Sequence, residues 1–315
     1  MKMIKSYVEF TRKLNEKIKS DDSFYYELLV TVIKNPNRYT GIFRLSNAKT
    51  KLIQNVTQSR EIKFGDFMED IVTEYIAEMG YNNLDKSIGT DEEGNDLSAD
   101  QVFTKDNTVY LIEQKIRDDH DSTKKRGQYQ NFRKKYMLLK RRYPDCNVDA
   151  TMWFIDDSLV KNRNYYQSEA AAENESGIDI HILYGGALFS QIFNRTDVWT
   201  EICEYLLRNK TERSNELLVV PDFDTSEEML AALRKLKMQE PNLTKKLMSK
   251  QQNYVQLRNE LFPTGENLRQ YRTTATIRIT GRPFCKNQLG RPCFCSQERT
   301  DSSCQAGSVS QNQIR

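Results

Sequence analysis

Hydrophobic residues recur along the chain at two kinds of spacing, and each spacing predicts a different element. Runs rich in β-branched and aromatic residues predict buried strands at Val109–Ile112, Val148–Ile155 and Ile178–Tyr184. Apolar residues three and four positions apart predict amphipathic helices at Phe64–Gly80 and Lys124–Tyr143. Because strands and helices alternate, we expect an α/β fold with a mixed central β-sheet flanked by helices.

Helical additions are predicted on both sides of this core. Residues 1–60 are expected to form a helical N-terminal segment, residues 61–210 the core, and residues 211–271 a helical C-terminal segment. Within the last segment, the apolar spacing predicts helices at Met229–Met238 and Leu243–Leu261. The stretch 81–95 is expected to be a polar, glycine-containing connection.

Residues 272–315 differ from the rest in having few aliphatic side chains. Such a segment cannot bury a core, so we expect a disordered basic tail. Clustered cysteines in a cytosolic protein favour zinc over disulfides, but the C-x2-C spacing is missing. A zinc-stabilised DNA-binding tail and a non-native, frame-shifted end are the alternatives. The four cysteines in this tail are Cys285, Cys293, Cys295 and Cys304.

The segment 96–115 predicts a β-hairpin. Its second strand continues from Val109 to Lys115, and Ser98–Phe103 is expected to be the partner strand. A two-residue turn at Asp106-Asn107 would pair Lys105 with Thr108. This pairing fixes the register of the whole hairpin, because strands pair residue by residue.

The register brings three charged residues to one end of the hairpin. Counting back from the turn, Asp100 lies opposite Glu113, with their Cβ atoms about 5 Å apart. Lys115 points to the same side as Glu113, because alternate residues of a strand share a face. Two close carboxylates repel unless a cation neutralises them, and carboxylate oxygens suit Mg²⁺. A metal here, with Lys115 orienting a water, predicts phosphodiester hydrolysis.

The distribution of charge supports a polyanionic partner. The net charge is only +3. The stretch Lys115–Arg142, however, contains eleven Lys and Arg against three Asp. A basic stretch beside a carboxylate pocket favours nucleic acid, and helix N-termini bind phosphate. The candidate DNA contacts are Lys124, Lys125, Arg126, Gln128, Arg133 and Lys134.

Two features of the sequence bear on the compartment. No stretch of about 18 apolar residues is present, so no membrane span is expected. The N-terminus lacks the apolar core of a signal peptide. We therefore expect a cytoplasmic protein.

Asp100 and Glu113-Gln114-Lys115 resemble the D…(D/E)-x-K signature of the restriction-endonuclease-like nuclease superfamily. The run DDHDSTKKRGQ after this motif, and ELFPTG near the end, are similar to a Type II restriction endonuclease. The resemblance covers about residues 60–270. One position departs from the pattern, since Ala99 stands where the signature has proline.

The resemblance implies a Mg²⁺-dependent enzyme that cuts double-stranded DNA, with metal on Asp100 and Glu113 and with Lys115 in the chemistry. It also implies that a glutamate on the preceding helix supports the site. Glu69 matches that place best and Glu74 second. A homodimer is expected, with a monomer as the alternative, together with a cognate DNA methyltransferase.

Other interpretations of the same residues remain open. Glu113 and Lys115 would also suit an ordinary ion pair at a strand end. A repair or junction nuclease of the same fold and a non-catalytic nucleic-acid-binding protein are the alternative functions. His120 lies in a charged loop that is able to reach a phosphate, while His181 and Trp199 are expected to be structural.

Overall fold

A five-stranded mixed sheet lies at the centre of the protein, in the strand order β1-β4-β5-β6-β7. The computed structural model describes residues 4–18, 22–213 and 220–279. Strands β1, β4 and β5 pair antiparallel, whereas β5, β6 and β7 pair parallel. Strands β2 and β3 form a separate antiparallel hairpin. The strands are β1 (Asn82–Asn83), β2 (Ser87–Thr90), β3 (Asp96–Ser98), β4 (Gln101–Lys105), β5 (Thr108–Lys115), β6 (Asn147–Phe154) and β7 (Ile180–Tyr184).

Twelve helices, counted over those residues, surround the sheet or pack beside it. The predicted fold class, a mixed sheet with flanking helices and helical additions at both ends, is confirmed. Among these helices there is none that combines the length and apolarity needed to cross a membrane. The helices are α1 (Tyr7–Ile18), α2 (Asp22–Lys34), α3 (Pro36–Thr40), α4 (Ala48–Glu78), α5 (Ser122–Arg142), α6 (Arg163–Glu175), α7 (Ala187–Gln191), α8 (Thr196–Glu212), α9 (Glu227–Gln239), α10 (Pro241–Leu247), α11 (Gln252–Leu261) and α12 (Glu266–Ile279).

Each face of the sheet is covered by its own set of helices. One face packs against α1, α4, α7 and α8, where Phe67 and Trp153 are fully buried. The other face packs against α5 and α6, where Phe132, Leu139 and Tyr166 are buried. Both faces of β5 and β6 are therefore apolar, as is usual for strands covered by helices on two sides.

A second, helical body packs beside the sheet. It combines α2, α3 and the start of α4 with α9–α12, around buried side chains such as Leu29, Leu52, Phe223 and Leu257. The predicted N- and C-terminal segments therefore share one core, except that α1 packs on the sheet. Helix α4 runs from this body to the sheet and, with 31 residues, is about 46 Å long.

A buried glutamate fastens the start of the chain to the core. Glu201 on α8 is 1% exposed. Its carboxylate accepts hydrogen bonds from the backbone amides of Ile4 at 2.7 Å and Lys5 at 2.9 Å. The Tyr75 hydroxyl donates a third at 2.8 Å. Three donors compensate for burying this charge.

Several predicted boundaries differ from the structure. The helix predicted at Phe64–Gly80 begins earlier, at Ala48, because Asn47 caps it by accepting from the Thr50 amide. The helix predicted at Leu243–Leu261 is two helices, and Arg258 donates to the carbonyl of Ser249 at the break.

The stretch 81–95, predicted to be a polar connection, contains the short strands β1 and β2. At the C-terminus, α12 continues to Ile279, beyond the predicted start of the tail at 272. The rest of the predicted tail, with its four cysteines, lies outside the described residues.

Candidate active site

The β4–β5 hairpin has the register that the sequence predicts. Lys105 pairs with Thr108 across the turn, and Gln101 pairs with Ile112 at the far end. Asp106 occupies the left-handed region at φ 54°, which aspartate tolerates in tight turns. The partner strand begins at Gln101 rather than at Ser98, because residues 96–98 pair with β2 instead.

Asp100, Glu113 and Lys115 converge at the end of this hairpin. The Lys115 ammonium lies 2.7 Å from Glu113 Oε1 and 3.6 Å from Asp100 Oδ2. Asp100 is held in place by the Gln114 amide, which donates to Oδ2 at 2.6 Å. The side chains of Asp100 and Lys115 are about one quarter exposed, whereas that of Glu113 is 8% exposed. The pocket therefore opens on the side of Asp100 and Lys115.

A second lysine, which sequence reasoning missed, completes the cluster. Lys135 on α5 is buried, and its ammonium lies 2.5 Å from Glu113 Oε2. In the sequence it stands within a basic run and looks like a surface residue. Its spacing nevertheless indicates an inward position on the helix, because Lys135 follows the inward-facing Phe132 by three positions.

The surroundings shift the pKa values of the two carboxyls in opposite directions. Burial raises the pKa of Asp100, and the Glu113 carboxylate raises it further. Burial would also raise the pKa of Glu113, but Lys115 and Lys135 outweigh it and lower that pKa. Burial would lower the pKa of Lys115, but the two carboxylates outweigh it and raise that pKa. Glu113 and Lys115 are therefore both charged at neutral pH.

Helix α4 borders the site through Glu69, although not through direct contact of its carboxylate with Asp100 or Glu113. The Glu69 side chain pairs with Lys86 at 2.5 Å. Its backbone carbonyl accepts from the Gln101 amide group at 2.8 Å, beside Asp100. Glu74 points elsewhere and pairs with Lys5 at 2.9 Å, so it belongs to the contact between α4 and the N-terminal segment.

The candidate DNA contacts divide into two groups along α5. The first turn presents Lys124 and Arg126 to solvent, and Asp121 caps it by accepting from the Lys124 amide at 2.8 Å. Lys125 lies over the Tyr165 ring at 4.5 Å. Gln128 accepts from the Tyr166 hydroxyl at 3.1 Å.

The second group is paired with acidic side chains. Arg133 lies 2.5 Å from Glu173. Lys134 lies 3.1 Å from Asp91 and 3.2 Å from Glu93, at the tip of the β2–β3 hairpin. An acidic hairpin tip therefore covers part of the basic face of α5.

A separate cluster joins β6 and β7 at the other end of the sheet. One ligand atom from each of Asp149, Asp179 and His181 lies within 4.8 Å of the others. The Asp149 carboxylate, together with that of Asp179, raises the pKa of His181 above its ordinary value. Asp149 pairs with Tyr110, three residues before Glu113, so it points to the opposite face of the sheet. This cluster is therefore not part of the Asp100–Glu113 site.

The two remaining residues considered in the sequence are His120 and Trp199. Burial lowers the pKa of His120, which lies near Asp119 with its side chain 19% exposed. Trp199 stacks on Phe189 and packs edge-on against Trp153.

Comparison with known protein families gives a match. The sequence model of a family described as "Type II restriction endonuclease, HinfI" matches residues 6–91 and 82–210. The match spans the sheet, both covering helix layers and the whole Asp100–Glu113 site. Neither the curated proteins nor the solved structures include a significant match to this chain.

Proposed function

Because the chain belongs to the HinfI family of Type II restriction endonucleases, we propose that it is a Mg²⁺-dependent enzyme that cuts double-stranded DNA at a specific site. The observation that carries the proposal is the convergence of Asp100, Glu113 and Lys115 at the end of β5. Their side chains combine two oxygen ligands and one cation at the open side of the pocket.

The chemistry of the donor set fits a hard divalent cation. Asp100 and Glu113 offer carboxylate oxygens, which Mg²⁺ prefers to nitrogen or sulfur ligands. When bound, Mg²⁺ would polarise the phosphate and lower the pKa of water. We propose that these two side chains hold the ion and that Glu69 supports the site from α4, through its contacts with Lys86 and Gln101.

Lys115 acts as a cation in this proposal. The two carboxylates raise its pKa, so the ammonium stays protonated at neutral pH and is not suited to remove a proton. It is placed to orient the attacking water and to stabilise the charge that develops on the phosphate. In the hydrolysis, the water oxygen bonds to phosphorus, one ester P–O bond breaks, and the departing oxygen takes a proton.

The DNA backbone is proposed to lie along the first turn of α5. Helix N-termini and nearby cations bind phosphate, and this turn directly follows the loop that leaves β5. The proposed contacts extend along the helix, and some of them would exchange an acidic partner for a phosphate. They are Lys124, Lys125, Arg126, Gln128, Arg133 and Lys134.

The proposed partners follow from the reaction. A homodimer would present one active site to each strand of a symmetric site, so we propose that the enzyme acts as a homodimer. A restriction enzyme also needs a cognate DNA methyltransferase that protects the host genome, and the cytoplasm is where both would meet DNA.

Digestion of a plasmid of known sequence tests the proposal. Wild-type protein with Mg²⁺ should give discrete bands, since a site-specific enzyme cuts at fixed positions. A smear would favour the repair or junction nuclease. The Lys115→Ala variant should bind DNA but cut it roughly 10²–10³-fold more slowly, the usual cost of removing one group that stabilises developing charge.

The control is Lys245→Ala, which removes an exposed lysine on α10 and should cut like wild type. Cleavage by the Lys115→Ala variant at the wild-type rate would remove this lysine from the chemistry. Cleavage by wild-type protein without any divalent metal would overturn the proposed metal site.

A further inference from the structure

Helix α5 places a lysine where its neighbours are apolar. Phe132, Tyr136 and Leu139 form the buried stripe of this helix, and Lys135 lies on the same side with 6% of its surface exposed. Lysine is almost never buried to this extent unless it is paired, because an ammonium loses its hydration there. The position therefore requires a specific partner.

That partner is the deepest carboxylate of the site. Lys135 contacts Glu113 Oε2 at 2.5 Å, while Lys115 contacts Glu113 Oε1 at 2.7 Å. The side chain of Lys135 is 8% exposed and that of Lys115 is 23% exposed. Each oxygen of Glu113 is thus held by a different lysine, one from the buried side and one from the open side.

Only one of the two lysines, Lys115, can move away from Glu113 at low cost. Lys115 also reaches Asp100, at 3.6 Å, and faces the opening of the pocket. Lys135 is almost fully buried, so moving its ammonium away from Glu113 would leave that charge buried without its partner. Breaking a buried ion pair on one side in this way is strongly unfavourable.

We propose, on the basis of the nuclease function proposed above, that Lys135 is a positioning residue for Glu113. It holds Oε2 throughout the reaction, so Oε1 is the oxygen presented to the metal ion. Lys115 is the cation that moves aside from Oε1 to admit the metal ion.

The proposal has a consequence for charge. Two carboxylates and two ammonium groups cancel formally, so a divalent cation entering this cluster gives it a net charge of about +2, which favours a phosphate. Lys135 also repels the incoming cation. Replacing it with an uncharged residue should therefore strengthen metal binding and slow cleavage at the same time. A lysine that merely stabilised the fold would not move these two quantities in opposite directions.

The test compares Lys135→Met, Lys135→Gln and the control Lys245→Met. Calorimetric titration of Mn²⁺ into each DNA-free protein measures metal affinity, and single-turnover cleavage at saturating Mg²⁺ measures the chemical step. The Lys135→Met variant should bind Mn²⁺ about tenfold more tightly, because one positive charge near the ion is gone. It should cleave about tenfold or more slowly while binding DNA within about twofold of wild type, since an oriented group is lost.

The Lys135→Gln variant tests whether a hydrogen bond without the charge restores part of the cleavage rate. Its amide can still donate to Glu113 but carries no charge, so it should keep the tighter Mn²⁺ binding and regain part of the cleavage rate. The Lys245→Met control should match wild type in both measurements. If Lys135→Met does not fold, the glutamine variant decides the question by the same two measurements.

Two results would overturn the positioning role: unchanged Mn²⁺ affinity with unchanged cleavage, or weaker Mn²⁺ binding together with slower cleavage. A wild-type protein that cuts no DNA in Mg²⁺ or Mn²⁺ would instead overturn the proposed nuclease function. The calorimetric comparison would still test Lys135 in that case, because it needs no substrate.

Discussion

Replacing Glu92 and Glu93 with glutamine should strengthen the binding of DNA to α5. Both residues lie at the tip of the β2–β3 hairpin, with side chains 86% and 71% exposed. Glu92 pairs with Arg141 at 3.4 Å, and Glu93 pairs with Lys134 at 3.2 Å. If DNA lies along this face of α5, the hairpin tip and the phosphates compete for the same two cations.

The structure sets the size of the effect. At most two cations become more available, and each phosphate contact changes the slope of log K against log salt by about 0.9. Lys134 keeps its second partner, Asp91, so the slope should steepen by roughly 0.9 to 1.8. Asp91 is left unchanged because its carboxylate accepts hydrogen bonds from the backbone amides of Glu93 and Asn95 and so stabilises the turn.

The assay is fluorescence anisotropy with a labelled duplex, in Ca²⁺, across a series of salt concentrations. The control is the double variant Glu27→Gln, Glu78→Gln, which changes the net charge equally at exposed positions elsewhere. Tighter binding in the hairpin variant but not in the control would place DNA on α5. Equal affinities and equal slopes in wild type and both variants would refute that placement.

Three further predictions concern stability and the metal. Replacing Glu201 with alanine should lower the free energy of unfolding by about 3–5 kcal/mol, because the buried Tyr75 hydroxyl and two partly buried backbone amides lose their acceptor. The free energy of unfolding is measured in urea, and the control variant Glu204→Ala, at an exposed position nearby, should stay within about 0.5 kcal/mol of wild type. An equally small loss for Glu201→Ala would contradict the stabilising role of Glu201. The raised pKa of His181 contributes stability below its unfolded pKa, and this contribution is lost as pH rises through the folded pKa. His181→Asn should therefore lower the melting temperature at about pH 5.5 but hardly at about pH 8. An equal loss of melting temperature at both pH values would contradict the raised pKa of His181. Replacing Mg²⁺ with Ca²⁺ should preserve site-specific binding and stop cutting, because Ca²⁺ takes ligands at about 2.3–2.6 Å instead of about 2.0–2.1 Å, and digestion in Ca²⁺ at the Mg²⁺ rate would show otherwise.

The hairpin at the centre of the site could be predicted from sequence because its determinants are local. A two-residue turn and an apolar strand fix the register, which then places Asp100 near Glu113. The β2–β3 hairpin could not be recognised in this way. Its strands have only four and three residues and are mostly polar, so they lack the alternation that marks a strand.

Lys135 shows a different limit. Sequence patterns give the inward face of α5, but they do not show that Glu113 lies beneath it. That depends on how α5 packs across β5 and β6. A charged residue next to an apolar stripe is usually at its solvent edge, and only the packed structure shows that this one is enclosed.

The shared core of the helical body could not be predicted from local sequence patterns either. Its two halves contain separate amphipathic helices, each of which would suit an independent segment. Their association depends on contacts between residues far apart in the chain, and such contacts leave no trace in the spacing of apolar residues.

The divided helical body has a consequence for synthesis on the ribosome. Its first half ends near Leu52 and its second half begins near Phe223, about 170 residues later. At roughly 5–20 residues per second, the first half emerges roughly 10–30 s before its partner. The sheet and the Asp100–Glu113 cluster can therefore assemble while the apolar face of α2, with Leu29 and Ile33, is still uncovered. During that interval, this face of α2 is open to chaperones and to exchange with a second nascent chain.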